Sequence, residues 1–283
     1  MIILCADDFG ISDGVSRGIE ALARRGRISA TSALATFEDW PETAQRLVAQ
    51  RDRVAIGIHL NLTLGAPAGP MPHVAPGGQL PRLGYLVARA SARQLDRSEI
   101  EAEIRRQLER FVAGTGVPPD HIDGHQHVHA LPVVRDALLD AVAAMEWAPR
   151  PLIRSPEDSY RAILRRGGAV RKAAILSMLT RGFRARLVAE GWHTNQSFAG
   201  VSQFRSGQDF GLEVERAFRL ASGTHLVMCH PGYPDAVLAG RDPVVTRRLE
   251  ELEALMAMVD LDRRIWHPSR SVDGGPVNWS AGG

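Results

Sequence analysis

The feature that most constrains this chain is a five-part alternation within its first 63 residues. "MIILCA", "ISATSALAT" and "VAIGIHLNLT" are apolar runs of strand length, and the segments between them, "GVSRGIEALARRG" and "WPETAQRLVAQR", carry helical spacing. In the first helix Val15, Ile19, Leu22 and Ala23 share one face. In the second, Pro41 stands near the first turn, where its missing N–H costs little. Strands joined through helices by short connections predict a parallel sheet covered by helices.

The rhythm breaks at residues 64–96. "GAPAGPMPHVAPGGQLPRLG" is rich in Pro and Gly, and it predicts a long surface excursion of the kind that is usually a lid or disordered. "RSEIEAEIRRQLERFVAGTG" then predicts a helix, with Ser98 as N-cap and Glu101 in capping-box spacing. "DHIDGHQHVH" reads as strand and loop, and "PVVRDALLDAVAAM" as the next helix. Residues 158–190 are basic and helical, interrupted at Gly167-Gly168, and predict an inserted helical hairpin. "THLVMCHPG" is a late strand, "PVVTRRLEELEALMAMV" the last strong helix, and "GGPVNWSAGG" a loose tail. With no repeats or linkers, residues 1–283 are expected to form one domain.

A net charge of +2 gives no electrostatic case for nucleic acid. Two cysteines, Cys5 and Cys229, are too few for a disulfide framework and sit in apolar runs, so two buried thiols are expected. The N-terminus lacks the basic and apolar regions of a signal peptide, and no apolar run is long enough to span a membrane. A cytoplasmic protein is expected, with peripheral membrane contact left open, as is a homo-oligomer.

The chemistry lies in where acids and imidazoles fall. Asp7 and Asp8 close the first strand, and His59 closes the third. His121, Asp123, His125, His127 and His129 lie in "HIDGHQHVH", and His230 follows the late strand. In a parallel α/β barrel all strand C-termini open onto one face. Two imidazoles and a carboxylate with open positions form a common divalent-metal site. A second carboxylate that is not a ligand can then serve as base. Two adjacent aspartates could divide those roles, their repulsion offset by the ion. Imidazoles favour zinc, whereas a hard carboxylate with bound waters also allows magnesium.

"ADDFG", "GIHLNLT", "HIDGHQHVH" and "CHPGY", in this order, resemble the YdjC-like carbohydrate deacetylases. The resemblance covers residues 1–135 and 224–235. It implies a distorted, incomplete TIM-like (β/α) barrel of the polysaccharide-deacetylase type, one divalent ion, and removal of acetyl from an N-acetylated amino sugar. Carried over by position, Asp8, His59 and His125 would hold the metal and Asp7 would be the general base. His230 would stabilise the tetrahedral intermediate or protonate the leaving amine. His127 and Arg154 are further candidates for substrate contact. "IRSPEDSYRAILRRGG" and "HTNQSFAGVSQF" resemble the hopanoid-biosynthesis branch, implying an N-acetylglucosaminyl hopanoid glycolipid as substrate, with a chitin oligosaccharide such as diacetylchitobiose as the alternative.

Two other classes compete. An amidohydrolase-type barrel would share the HxH of "HQHVH", but that class carries it on its first strand, often with a carboxylated lysine. The sole lysine here, Lys172, lies in the helical insert. A non-catalytic sugar-binding protein on the same scaffold would be expected to have lost some of these acids and histidines.

Overall fold

The computed structural model describes residues 1–270, 275–277 and 279. The chain opens with β1 (Ile2–Phe9), α1 (Asp13–Arg24), β2 (Ala30–Ala33), α2 (Trp40–Val48) and β3 (Ala55–Leu60), as the alternation predicts. It continues with α3 (Leu83–Ser91), α4 (Arg97–Thr115), β4 (His121–Gly124), a 3-10 turn (His125–Ala130), α5 (Val134–Ala143) and β5 (Leu152–Ile153). Three short helices follow, α6 (Tyr160–Arg166), α7 (Val170–Leu179) and α8 (Phe183–Ala189), then β6 (Ser197–Ala199), α9 (Phe210–Phe218) and β7 (His225–Cys229). The last elements are α10 (Ala236–Arg241), α11 (Thr246–Ala257) and α12 (Leu261–Arg264).

All seven strands form one parallel sheet in the order β5-β4-β3-β2-β1-β7-β6, curled into an incomplete barrel. Strand alternation sorts the side chains into two sets. Leu4, Ala6, Ile56, Ile58, Ile122 and Val227 face outward, into the main core beneath the helices. Ile3, Cys5, Ala30, Ala55, Leu226 and Met228 face inward. The interior is narrow: a Cβ on Gly57 would lie 2.4 Å from the His121 ring.

Several expectations change. Residues 64–96 are an ordered excursion that contains α3 and buries Met71, Val74, Ala75 and Leu80. The Glu99 carboxylate holds it to α4 by accepting from the His73 and Val74 backbone N–H groups, and Glu103 accepts from Ala68 N. Asp96, not Ser98, caps α4, because its carboxylate reaches both Ser98 N and Glu99 N. The insert is three short helices rather than a hairpin, since Gly167 and Gly168 both take positive φ and Gly182 breaks the chain again. In the tail Val277 is buried and Trp279 packs on Trp266, whereas 274, 278 and 280–283 lie outside the described residues. Cys5 and Cys229 are buried free thiols, as expected. Among the described residues no helix is long and apolar enough to cross a membrane.

The sheet does not close on itself by a full ladder between β5 and β6. One backbone bond, Ile153 N to His193 O at 2.8 Å, spans the gap. Beside it the buried Asn195 amide accepts from Ser155 N and donates to the carbonyls of Ser155 and Ser197. A buried backbone N–H stripped of its partner costs about 1–3 kcal/mol. Asn195→Ala should therefore lower unfolding free energy by at least that amount, read from urea denaturation. A change below about 0.5 kcal/mol, the range of ordinary surface substitutions, would show that Asn195 does not latch the seam.

Candidate active site

The inward faces of four strands run from small or apolar residues to chemistry at their C-terminal ends. They read Ile3-Cys5-Asp7 on β1, Ala55-Gly57-His59 on β3, His121-Asp123 on β4, and Leu226-Met228 leading to His230 after β7. Asp8 breaks this rule. Simple alternation would turn it outward, but the β1–β2 register shifts between Ala6 and Phe9 and Asp8 adopts φ +102°. A bulge re-aims a side chain in this way, and a non-glycine residue at such a φ is strained. Both carboxylates of the pair thereby reach the same end of the barrel.

There Asp8 Oδ1 lies 3.2 Å from His59 Nε2 and 3.1 Å from His125 Nδ1. His59 Nδ1 donates to Asp123 Oδ1 at 2.6 Å, a contact prepared by the β3–β4 register, in which His59 and Asp123 are Cα partners. Ser32 donates to the other Asp123 oxygen at 2.5 Å. The buried Arg154 guanidinium grips Asp7 through two bonds of 2.7 Å and reaches Asp123 at 2.5 Å. Arg248 bridges Asp8 Oδ2 (2.6 Å) and Asp242 (2.5 Å). His230 Nε2 stands 4.0 Å from Asp7, and its backbone N–H donates to the buried Glu251 at 2.6 Å.

The ionisation states follow from these neighbours. Burial would raise the Asp8 carboxyl, but Arg248 and His125 outweigh it and hold it well below the usual carboxylate range. Asp123 is likewise held down, against burial, by Arg154 and His59. Burial would favour a neutral His59, yet the charge and hydrogen bond of Asp123 lift it to about 10. Burial lowers His230, and it pushes Glu251 up to about 7. The barrel end is thus built to hold positive charge among carboxylates.

The remaining histidines separate. His127, at φ +61°, packs edge-on to Phe198 at 5.6 Å, and its Nδ1 has no partner among the described residues. His129 is buried and donates to Arg154 O at 2.9 Å. His121 sits deeper, with Ser32 and Cys5. Arg154 differs from its expected role as a substrate contact: it is fully buried, and the terminal nitrogens of its guanidinium are spent on Asp7 and Asp123.

Asp8, His59 and His125 each offer one ligand atom within 4.8 Å of the others, and so do Asp7, His59 and Asp123. In the second set Arg154 already lies against both carboxylates; Cys5, His121 and Asp123, and the more exposed His73, Asp96 and Glu99, form two further groups of this kind. Sequence reasoning missed Ser32, Arg248 and Glu251 as members of the site, and it gave Asp123 no role. Asp123 carried a signal, since it alternates with His121 toward the inside. Arg248 carried none, lying 240 residues from Asp8 on a helix with several other charged side chains.

A family model described as YdjC-like protein matches residues 1–258. A chitooligosaccharide deacetylase from Serratia marcescens is 31% identical over 258 residues, spanning 91% of each chain. One from Proteus mirabilis is 40% identical over 129 residues, 46% of this chain and 50% of its own. Among solved structures, an Enterococcus faecalis V583 protein named for cellobiose-phosphate cleavage matches in fold, with a TM-score of 0.67 at 22% identity over 94% of this chain and 95% of its own.

Removing one partner of a buried ion pair costs about 3–5 kcal/mol, because the other charge is left bare. Arg154→Met should therefore destabilise the protein by about that amount in urea unfolding. An arginine serving only as an exposed substrate contact would change stability by no more than about 0.5 kcal/mol.

Proposed function

The chain belongs to the YdjC-like family, and from that premise we propose that it is a divalent-metal-dependent hydrolase that removes acetyl from an N-acetylated amino sugar, with a chitooligosaccharide as substrate. One observation carries the reading: Asp8, His59 and His125 converge with Asp7 and His230 beside them, in a chain whose full-length relative is named for that activity. Ligand atoms about 2.1 Å from an ion, at right or tetrahedral angles, lie about 3.0–3.4 Å apart. The separations of 3.1 and 3.2 Å around Asp8 Oδ1 fit such a set.

Magnesium or zinc bound there would polarise the acetamide carbonyl and acidify a bound water. Asp123 holds the His59 Nδ1–H, which fixes the ring with Nε2 toward Asp8 Oδ1, where it would serve as a ligand. Arg248 occupies Asp8 Oδ2, so Oδ1 is the oxygen that would be offered to the metal. Asp7, oriented by Arg154, takes the proton from the attacking water. His230, positioned through Glu251, donates to the developing oxyanion or passes a proton to the departing amine. The C–N bond then breaks, releasing acetate and a free sugar amine.

The curated relatives favour the oligosaccharide over the hopanoid glycolipid. What favours the glycolipid as a second reading is a cavity of about 340 Å³ lined in part by Ile163, Ala173, Phe198, Phe210 and Met228. Comparing kcat/KM for diacetylchitobiose and for an N-acetylglucosaminyl hopanoid, at fixed detergent, decides between them. The oligosaccharide is expected to be the better substrate, and the reverse order would replace it.

Chelation should abolish acetate release from diacetylchitobiose, and one added divalent ion should restore it. Full activity in metal-stripped protein would overturn the mechanism. Asp7→Asn should retain metal yet lose about 10²–10⁴-fold in rate, the usual loss for a general base. Asp8→Asn, His59→Ala and His125→Ala should each weaken metal binding measured by calorimetry. Metal loss in Asp7→Asn with retention in Asp8→Asn would exchange the two roles.

A further inference from the structure

The segment between β5 and β6 is unlike the rest of the surface. Residues 159–189 hold eight basic residues and no Asp or Glu, whereas acids outnumber bases elsewhere in the chain. Its helices also expose large apolar side chains. On α6, Tyr160 and Leu164 are 56% and 66% exposed, next to the exposed Arg161 and Arg165. On α7 the outward positions Arg171, Ile175 and Met178 follow helical spacing, with Ile175 and Met178 43% and 56% exposed. The only buried residue of α7 is Ser177, whose hydroxyl donates to Asp158 O. A surface helix normally buries its apolar stripe; α7 turns Leu176 and Leu179 toward the core but leaves Ile175 and Met178 outside, beside Arg171.

Only part of the charge in this patch is consumed internally. Arg166 pairs with Asp158 and Arg186 with Asp136 and Glu190, but among the described residues Arg161, Arg165, Arg171 and Arg181 have no acidic partner. Lys172 points its ammonium at Ser202 O and the Phe204 ring, and so ties the patch to a loop whose Phe204 packs edge-on against His230.

We infer that α6 and α7 form a docking surface for an anionic lipid membrane. Apolar side chains flanked by arginines match an interface in which the former enter the acyl boundary and the latter meet lipid phosphates. Each basic residue near an anionic surface strengthens binding about five-fold, so the four unpaired arginines together supply a strong salt-dependent term. A second copy of this chain is a poor occupant, because the two patches would bring like charges together. The inference rests on this surface alone and does not depend on the deacetylase reading.

The test is co-sedimentation of the full chain with vesicles of phosphatidylcholine alone and of phosphatidylcholine with one quarter phosphatidylglycerol. Binding is expected to the anionic vesicles at low salt, with little to the neutral ones and little at about 0.5 M NaCl, where surface charges are screened within a few ångströms. Arg165→Glu/Arg171→Glu should cut the partition coefficient by about ten-fold or more, and Ile175→Ser/Met178→Ser should lower it as well. All four positions lie on the surface, so both variants should keep the parent thermal unfolding and the parent acetate release from diacetylchitobiose. Absence of binding to anionic vesicles, or equal binding to neutral ones, would overturn the inference. So would a dimer in sedimentation velocity that Ile175→Ser/Met178→Ser dissociates, since a second copy would then cover the patch.

Discussion

Three carboxylates, Asp7, Asp8 and Asp123, are buried together at one end of a narrow barrel, and the surrounding structure is arranged to make that tolerable. Ionised groups withdrawn from water cost several kcal/mol each unless they are paired and hydrogen-bonded. The compensation comes from distant parts of the chain: Arg154 just after β5, Arg248 on α11, and His59 on β3. These long-range pairs tie the first strand to the middle and to the last long helix. They also separate the twin aspartates, since Arg154 takes both oxygens of Asp7 while Arg248 takes one oxygen of Asp8 and leaves the other facing two imidazoles.

Much of this was legible in the sequence because it follows from strand periodicity. The alternation of apolar runs gave the parallel strands, and the acids and imidazoles at their ends gave the shared face. Once the strands are in place, period-two alternation accounts for Asp7, His59 and Asp123 facing inward. It fails at Asp8, because a bulge is a departure from that period and leaves no compositional mark beyond the paired aspartates. β5 and β6, two and three residues long, are too short for any periodic signal, and their pairing is decided by neighbours rather than by their own residues. The N-cap of α4 was misplaced by two positions because Asp96 and Ser98 both carry capping chemistry, and the choice rests on backbone geometry. Arg154 was noticed, but burial decides its role, and burial of an arginine is visible only when the carboxylates opposite it are in place.

The helical insert shows the other side of the same limit. Its basic, apolar composition was plain in the sequence and would ordinarily mean an amphipathic helix with its apolar side in a core. The structure instead turns Ile175 and Met178 outward and buries a serine. Composition identified the segment; only the packing of α6 against α7 shows which face was left over.

The seam between β5 and β6 has a consequence for how such a protein can change. Because one backbone bond and the Asn195 amide join the two edges, the polypeptide that links them is not woven into the hydrogen-bond ladder. Between Arg154 and Asn195, which are fixed by their partners, that linker can grow or shrink without shifting the register of β1, β3, β4 or β7. The spacing of the acids and imidazoles is therefore a property of the continuous part of the sheet and does not depend on how long the linker is.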